Sequence, residues 1–102
     1  MVRRLAAVAM LAAVCAVSAP VAAQAASYED VLYSPLTVGG SFCVSKYGPS
    51  YVAGAYESVF FYCYGPKVRA DEREACQYMA PGRYVISARP GIGGALVCRL
   101  AV

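Results

Sequence analysis

The sequence predicts a small α+β domain: an antiparallel sheet with one packed helix, in the order β-β-α-β-β, stapled by two disulfides. Three observations lead to this prediction. The chain has 102 residues and opens on an apolar segment typical of exported proteins. Four of its five cysteines follow that segment, and four is an even number, as two disulfides require. Alternating apolar and polar stretches, separated by Gly and Pro, flank one well-capped helix.

Residues 1–25 have the pattern of a secretory signal peptide. Two arginines near the start precede an unbroken apolar run over residues 5–17. Small side chains at Ala23 and Ala25 fit the −3 and −1 subsites of signal peptidase, so we expect cleavage after Ala25 and a domain of residues 26–102. Cleavage after Ala23 is the second choice, and an uncleaved membrane anchor is the competing interpretation. The first choice predicts a secreted or periplasmic protein without stable membrane insertion.

Processing removes most of the net positive charge. The full chain has nine Lys and Arg against six Asp and Glu, and the signal peptide carries two of the arginines. The seven basic residues that remain are scattered, whereas nucleic-acid-binding domains usually carry a dense basic stripe. We therefore expect no nucleic-acid partner.

The first half of the domain predicts two strands. Leu36–Tyr47 alternates apolar and polar residues and is assigned to a first strand, with a bulge at Gly39-Gly40. Ser27–Ser34 is a mixed lead-in without a clear pattern. Tyr51–Glu57 fits either a loop or the start of a second strand. Ser58–Tyr64 is rich in aromatic residues and apolar on both faces, so we place this strand centrally.

The second half predicts a helix followed by two strands. The helix covers Ala70–Met79, because Asp71 is a good N-cap and Glu74 stands three residues later, as in a capping box. A Pro-Gly pair ends it. Strands over Arg83–Arg89 and Ala95–Val102 follow, joined by a glycine-rich hairpin connection.

Four cysteines, Cys43, Cys63, Cys76 and Cys98, are predicted to form disulfides rather than a metal site. Neighbouring members are at least 13 residues apart, unlike the closely spaced pairs of zinc sites, and export favours oxidation. We predict the pairs Cys43–Cys63, across a strand hairpin, and Cys76–Cys98, between helix and last strand. The competing pairing joins Cys63 to Cys76 and Cys43 to Cys98.

The chain contains no histidine, which excludes Ser-His-Asp and Cys-His catalysis and every histidine-based metal site. No cofactor or metal is expected, and an enzyme is disfavoured. A hydrolase that uses carboxylates alone is one remaining alternative. Its available groups are Glu57, Asp71, Glu72 and Glu74.

The nine tyrosines favour a non-catalytic binding protein. Tyrosine is enriched at interfaces, because one end of its side chain is apolar and the other polar. Tyr47, Tyr51 and Tyr56 bracket a segment rich in Gly, Pro and Ser, and we predict that they form an exposed binding surface. The expected partner is a protein or a surface glycan.

A second alternative is an inhibitor of a secreted enzyme, either a protease or a cell-wall hydrolase. Such an inhibitor would present a rigid, disulfide-braced loop. The candidate inhibitory loop is Pro81-Gly82-Arg83-Tyr84.

Overall fold

The computed structural model describes residues 27–102, so the predicted signal peptide and its cleavage site lie outside the described residues. The helical segment α1 runs through Pro35–Val38, a π-helical stretch Gly39–Cys43 and Val44–Tyr47. The remaining elements, in chain order, are β1 (Tyr28–Tyr33, before α1), β2 (Ala53–Glu57), β3 (Phe60–Tyr64), β4 (Val68–Arg69), α2 (Glu72–Met79), β5 (Val85–Pro90), a 3-10 turn (Ile92–Gly94) and β6 (Leu96–Ala101).

The strands form two separate three-stranded antiparallel sheets, with the orders β1-β6-β5 and β2-β3-β4. The α+β class, the antiparallel pairing, a main helix and two disulfides are thus confirmed. The prediction of a single sheet in the order β-β-α-β-β is wrong. The core lies between the sheets and helices, and Phe61, Leu96 and Leu100 are its largest fully buried side chains.

The predicted first strand, Leu36–Tyr47, is helical. Ser34 caps the segment by accepting a hydrogen bond from the Thr37 N–H at 3.3 Å, and a proline occupies the first turn, where its missing N–H costs nothing. Val38 and Phe42, four residues apart, are buried together with Cys43, whereas Leu36 is 73% exposed. The apolar spacing therefore follows a helix face rather than one face of a strand.

The predicted lead-in, Ser27–Ser34, contains strand β1. This strand pairs with β6 in a continuous register from Tyr28 opposite Ala101 to Tyr33 opposite Leu96. Its own sequence shows no strand pattern because it lies at the edge of the sheet and most of its side chains are exposed. Pairing with the buried strand β6 therefore determines its conformation.

Tyr51–Glu57, which the sequence left open, contains β2. Glu57 lies opposite Phe60, so Ser58 and Val59 form a two-residue hairpin turn, and Ser58 adopts the positive φ of 64° that such turns use. Strand β3 follows and is central in its sheet, as predicted.

The second half of the domain matches its prediction closely. Asp71 caps α2 by accepting hydrogen bonds from the N–H groups of Arg73, at 2.8 Å, and Glu74, at 3.2 Å. Strands β5 and β6 pair across the 3-10 turn, with one bulge between Val85 and Ser87.

Both predicted disulfides are present. Cys43 bonds to Cys63 with a Cα–Cα distance of 5.6 Å, and Cys76 bonds to Cys98 with 5.7 Å. All four side chains are fully buried. The first bridge joins α1 to β3 rather than two strands of a hairpin. The predicted pairing is therefore right, but the structural reason given for it was wrong.

Candidate binding surface

The outward face of the β2-β3-β4 sheet carries a row of aromatic rings. Side chains of β3 alternate, so Phe61 and Cys63 point into the core and are fully buried. Phe60, Tyr62 and Tyr64 point outward, and we call these three residues the aromatic row. The centroids of the Tyr62 and Tyr64 rings lie 6.1 Å apart.

The two flanks of the aromatic row differ: the β2 side carries short side chains, and the β4 side carries a lysine. On β2, Ala53 and Ala55 lie opposite Tyr64 and Tyr62. Their short side chains leave this flank of the row open. On the β4 side, the Lys67 Nζ lies 4.5 Å from the Tyr62 ring centroid and 5.8 Å from that of Tyr64. Cation–π attraction therefore fixes Lys67 beside both rings.

A polar network crosses the same face. The Lys67 Nζ donates a hydrogen bond to Glu57 Oε1 at 2.5 Å, and the Tyr64 hydroxyl donates to the same oxygen at 3.1 Å. These bonds, Lys67 first and Tyr64 second, lower the pKa of the Glu57 carboxyl. Glu57 consequently stays ionised at neutral pH, which suits a hydrogen-bond acceptor and not a general acid.

Arg69 stacks on the far end of the aromatic row. Its Cζ lies 3.8 Å from the Phe60 ring centroid, and its backbone lies opposite Tyr62 in the β3–β4 register. Beside it opens a polar cavity of about 650 Å³ between β4, the start of α2 and β5. The lining residues are Arg69, Ala70, Asp71, Glu72, Arg73, Ser87 and Ala88.

The predicted tyrosine surface is not assembled as expected. Tyr47 and Tyr51 lie side by side, with ring centroids 5.4 Å apart, but both are half-buried against the core. Tyr56 is only 8% exposed, so its assignment to an exposed patch is wrong. It lies on β2 at an inward position and packs edge-on against Phe61, with 5.3 Å between ring centroids.

The Tyr56 hydroxyl is buried and has no hydrogen-bond partner among residues 27–102. Burial, and secondarily the charge of Glu72, raises the pKa of this hydroxyl. The unfolded chain therefore releases this proton at lower pH than the folded one, so folding stability falls as pH rises above about 10.

We expect Tyr56→Phe to remove this alkaline loss and to raise the free energy of unfolding at pH 7 by up to about 1 kcal/mol, because an unpaired buried polar group is deleted. Urea unfolding at pH 7 and at pH 10.5 measures both effects. A variant that is less stable than wild type at pH 7 would show that the hydroxyl makes a favourable interaction.

The candidate inhibitory loop is tied back to the domain. The Arg83 guanidinium forms an ion pair with Glu29 at 2.9 Å and donates to the Ala101 carbonyl at 3.2 Å. The side-chain amide of Gln77 donates to the Arg83 carbonyl at 2.9 Å. Pro81, Gly82 and Tyr84 are exposed, but the arginine is held against its own sheet rather than presented to an enzyme.

The four candidate carboxylates lie in different environments. Glu57 pairs with Lys67, Asp71 caps α2, and Glu74 pairs with Lys46 at 2.6 Å. Glu72 lines the cavity. Glu57, Asp71 and Glu74 thus each have a local structural role. Within residues 27–102, no group of three or more Cys, Asp or Glu is placed to hold a metal ion.

The outward face of the other sheet is also charged, but its charges are paired with each other. Asp30 accepts hydrogen bonds from Arg99, at 2.9 and 3.0 Å, and from Arg89, at 3.3 Å. The two hydrogen bonds from Arg99, and then the one from Arg89, lower the pKa of Asp30 to about 2 against the opposing effect of desolvation. Arg99 in turn stacks on Tyr28 at 3.9 Å. On this face a single aromatic ring, that of Tyr28, stacks with an arginine, whereas the aromatic row has three rings.

Sequence reasoning missed the aromatic row as a surface, although the period-two pattern of β3 was visible. Both faces of this strand are apolar, which predicted a central place in the sheet but did not indicate which face is open to solvent.

In the described part of the chain, no helix is long and apolar enough to cross a bilayer. No protein-family model matches the chain, and neither the characterised proteins nor the solved structures contain a match to it.

Proposed function

We propose that this chain is an exported, non-catalytic binding protein and that the outward face of the β2-β3-β4 sheet binds a glycan. The observation that carries the proposal is the aromatic row: Phe60, Tyr62 and Tyr64 project from one strand on the solvent side of a sheet. Phe60 is 42% exposed, although it is a large apolar residue in a domain with a small core. Tyr62 and Tyr64 are half-buried on the same outward face, and three aromatic rings set together at a surface favour a binding role.

The size of the face favours a narrow ligand over a folded protein. The sheet has two strands of five residues and one strand of two, so its face measures at most about 17 Å by 10 Å, on the order of 200 Å². A stable protein interface usually buries about 800 Å² on each partner. A polysaccharide chain laid along β3 would instead contact all three rings, whose positions repeat about every 6.6 Å along the strand.

The chemistry of the face also matches sugars. A sugar ring has an apolar face of C–H groups, which packs on an aromatic ring, and a rim of hydroxyls, which need hydrogen-bond partners. Tyr62 and Tyr64 offer rings, whereas Glu57, Lys67 and the Tyr64 hydroxyl offer an acceptor and donors on the same surface. Tyrosine suits such sites because its ring is apolar and its hydroxyl polar.

The export part of the proposal is supported by the two buried disulfides, which persist in oxidising compartments. It agrees with the signal-peptide pattern of residues 1–25. The inhibitor alternative has less support because Arg83 is engaged by Glu29. The hydrolase alternative has less support because three of its four carboxylates already serve other partners.

The test is binding of the oxidised domain to a panel of immobilised neutral and acidic polysaccharides. We expect Tyr62→Ala combined with Tyr64→Ala to weaken binding to every bound polysaccharide by about fivefold to a hundredfold, because each ring contributes about 0.5–1.5 kcal/mol. Biolayer interferometry measures the dissociation constants, and circular dichroism checks that the variant is folded.

Tyr84→Ala is the matched control, since it removes a tyrosine that is 68% exposed and lies outside the aromatic row. Its affinity should equal that of wild type. If wild type binds no polysaccharide in the panel, or if the Tyr62/Tyr64 variant binds as well as wild type, the glycan proposal is wrong.

A further inference from the structure

Arg69 differs from the other basic side chains of residues 27–102. Each of the other six donates to a carboxylate or a backbone carbonyl; they are Lys46, Lys67, Arg73, Arg83, Arg89 and Arg99. The Arg69 side chain makes no hydrogen bond or ion pair with any described residue, and its one specific contact is the Phe60 ring. An exposed guanidinium with five N–H donors is thus left without an acceptor.

Stacking on Phe60 holds the Arg69 guanidinium in a restricted position that suits ligand binding. A ring under one face, 3.8 Å from Cζ, restricts the side chain without using any of its donors. Stacking leaves the planar edges free, and the edge of a guanidinium matches the two oxygens of a carboxylate. Holding the arginine in place also reduces the conformational entropy that binding would otherwise cost.

We infer that the glycan is acidic and that Arg69 binds the carboxylate of a uronic acid residue while neighbouring sugars pack on Tyr62 and Tyr64. The inference rests on the proposed function, since Arg69 lies opposite Tyr62 in the sheet register and shares its outward face. The cavity beside Arg69 provides room for the sugar that carries the carboxylate.

The charged residues around the cavity determine whether a substitution should strengthen or weaken the binding of an acidic ligand. Arg73 also lines it, but its guanidinium is occupied by the carbonyls of Val85 and Ile86. Asp71 is occupied by the N-terminus of α2. The Glu72 carboxylate forms no hydrogen bond or ion pair within residues 27–102, and its negative charge opposes an anion in the same cavity. Removing Arg69 and removing Glu72 should therefore act in opposite directions on an acidic ligand.

The experiment compares polygalacturonate and hyaluronate with their carboxyl-reduced, neutral derivatives. We expect wild type to bind at least one polyuronate about tenfold more tightly than its reduced form, the size expected for one charge-assisted hydrogen-bonded contact. Arg69→Gln should abolish this preference by weakening the binding of the acidic polymer about tenfold more than the binding of its reduced form. Arg69→Lys should retain part of the preference, and Glu72→Gln should increase it.

Arg89→Gln is the matched control, because it removes an equal charge from the outward face of the other sheet. It should keep the wild-type preference. If wild type binds a polyuronate and its reduced form equally, or binds neutral polysaccharides alone, the acidic-glycan inference is wrong and the proposed function stands. If Arg69→Gln keeps the preference, another group recognises the carboxylate and the role of Arg69 is wrong. Binding of no polysaccharide at all contradicts the proposed function itself.

Discussion

Removing either disulfide should lower the free energy of unfolding by about 3 kcal/mol, according to the chain-entropy model for loops of this length. The two bridges span 20 and 22 residues. Each therefore restricts a similar stretch of the unfolded chain. The domain is small, and within residues 27–102 its core consists of sixteen buried apolar side chains, four of which are the cysteines themselves. A loss of this size is a large fraction of the stability that a domain of about 75 residues can have.

The variants are Cys43→Ala with Cys63→Ala, and Cys76→Ala with Cys98→Ala, so that no free thiol remains. Urea unfolding followed by circular dichroism gives the free energy and the m-value. We expect the quadruple variant to be unfolded at 25 °C and to match the reduced wild-type protein. A double variant that unfolds with the wild-type midpoint would show that its bridge does not stabilise the fold.

The elements predicted correctly are those whose signals are local. Helix α2 begins after the Asp71 cap, and strands β5 and β6 are bounded by Gly and Pro, so neighbouring residues determine them. Strand β1 was missed because pairing with β6, about 70 residues later, determines its conformation. No pattern within Ser27–Ser34 reports that partner.

The helical segment α1 was assigned to a strand because its apolar residues fit two periods. Val38, Phe42 and Val44 alternate like strand residues, but Val38 and Phe42 also share one face of a helix. Prediction of one sheet instead of two followed from this error. The aromatic row was missed because a strand that is apolar on both faces does not reveal which face is open to solvent, and in the structure it is the face of Phe60, Tyr62 and Tyr64.

Gly39→Ala should be among the most destabilising single substitutions in the domain, with a cost of about 3 kcal/mol, because the side chain would overpack a backbone contact. A Cβ at Gly39 would lie 2.3 Å from the Val52 carbonyl oxygen and 2.4 Å from the Ala53 Cα. These atoms belong to the backbone at the start of β2, which cannot move aside as a flexible side chain can. The glycine is thus required for α1 to lie against the edge of β2, and not for a strand bulge.

Gly40→Ala is the matched control, since it lies in the same helical segment and a Cβ there meets nothing within 4 Å. Alanine is the better helix former, so we expect this variant to be as stable as wild type or more stable by about 0.5–1 kcal/mol. Urea unfolding of the two variants measures the difference, which should be about 4 kcal/mol in favour of Gly40→Ala. If the two variants unfold at the same midpoint, α1 does not pack closely on β2 and the assignment of Gly39 to this contact is wrong.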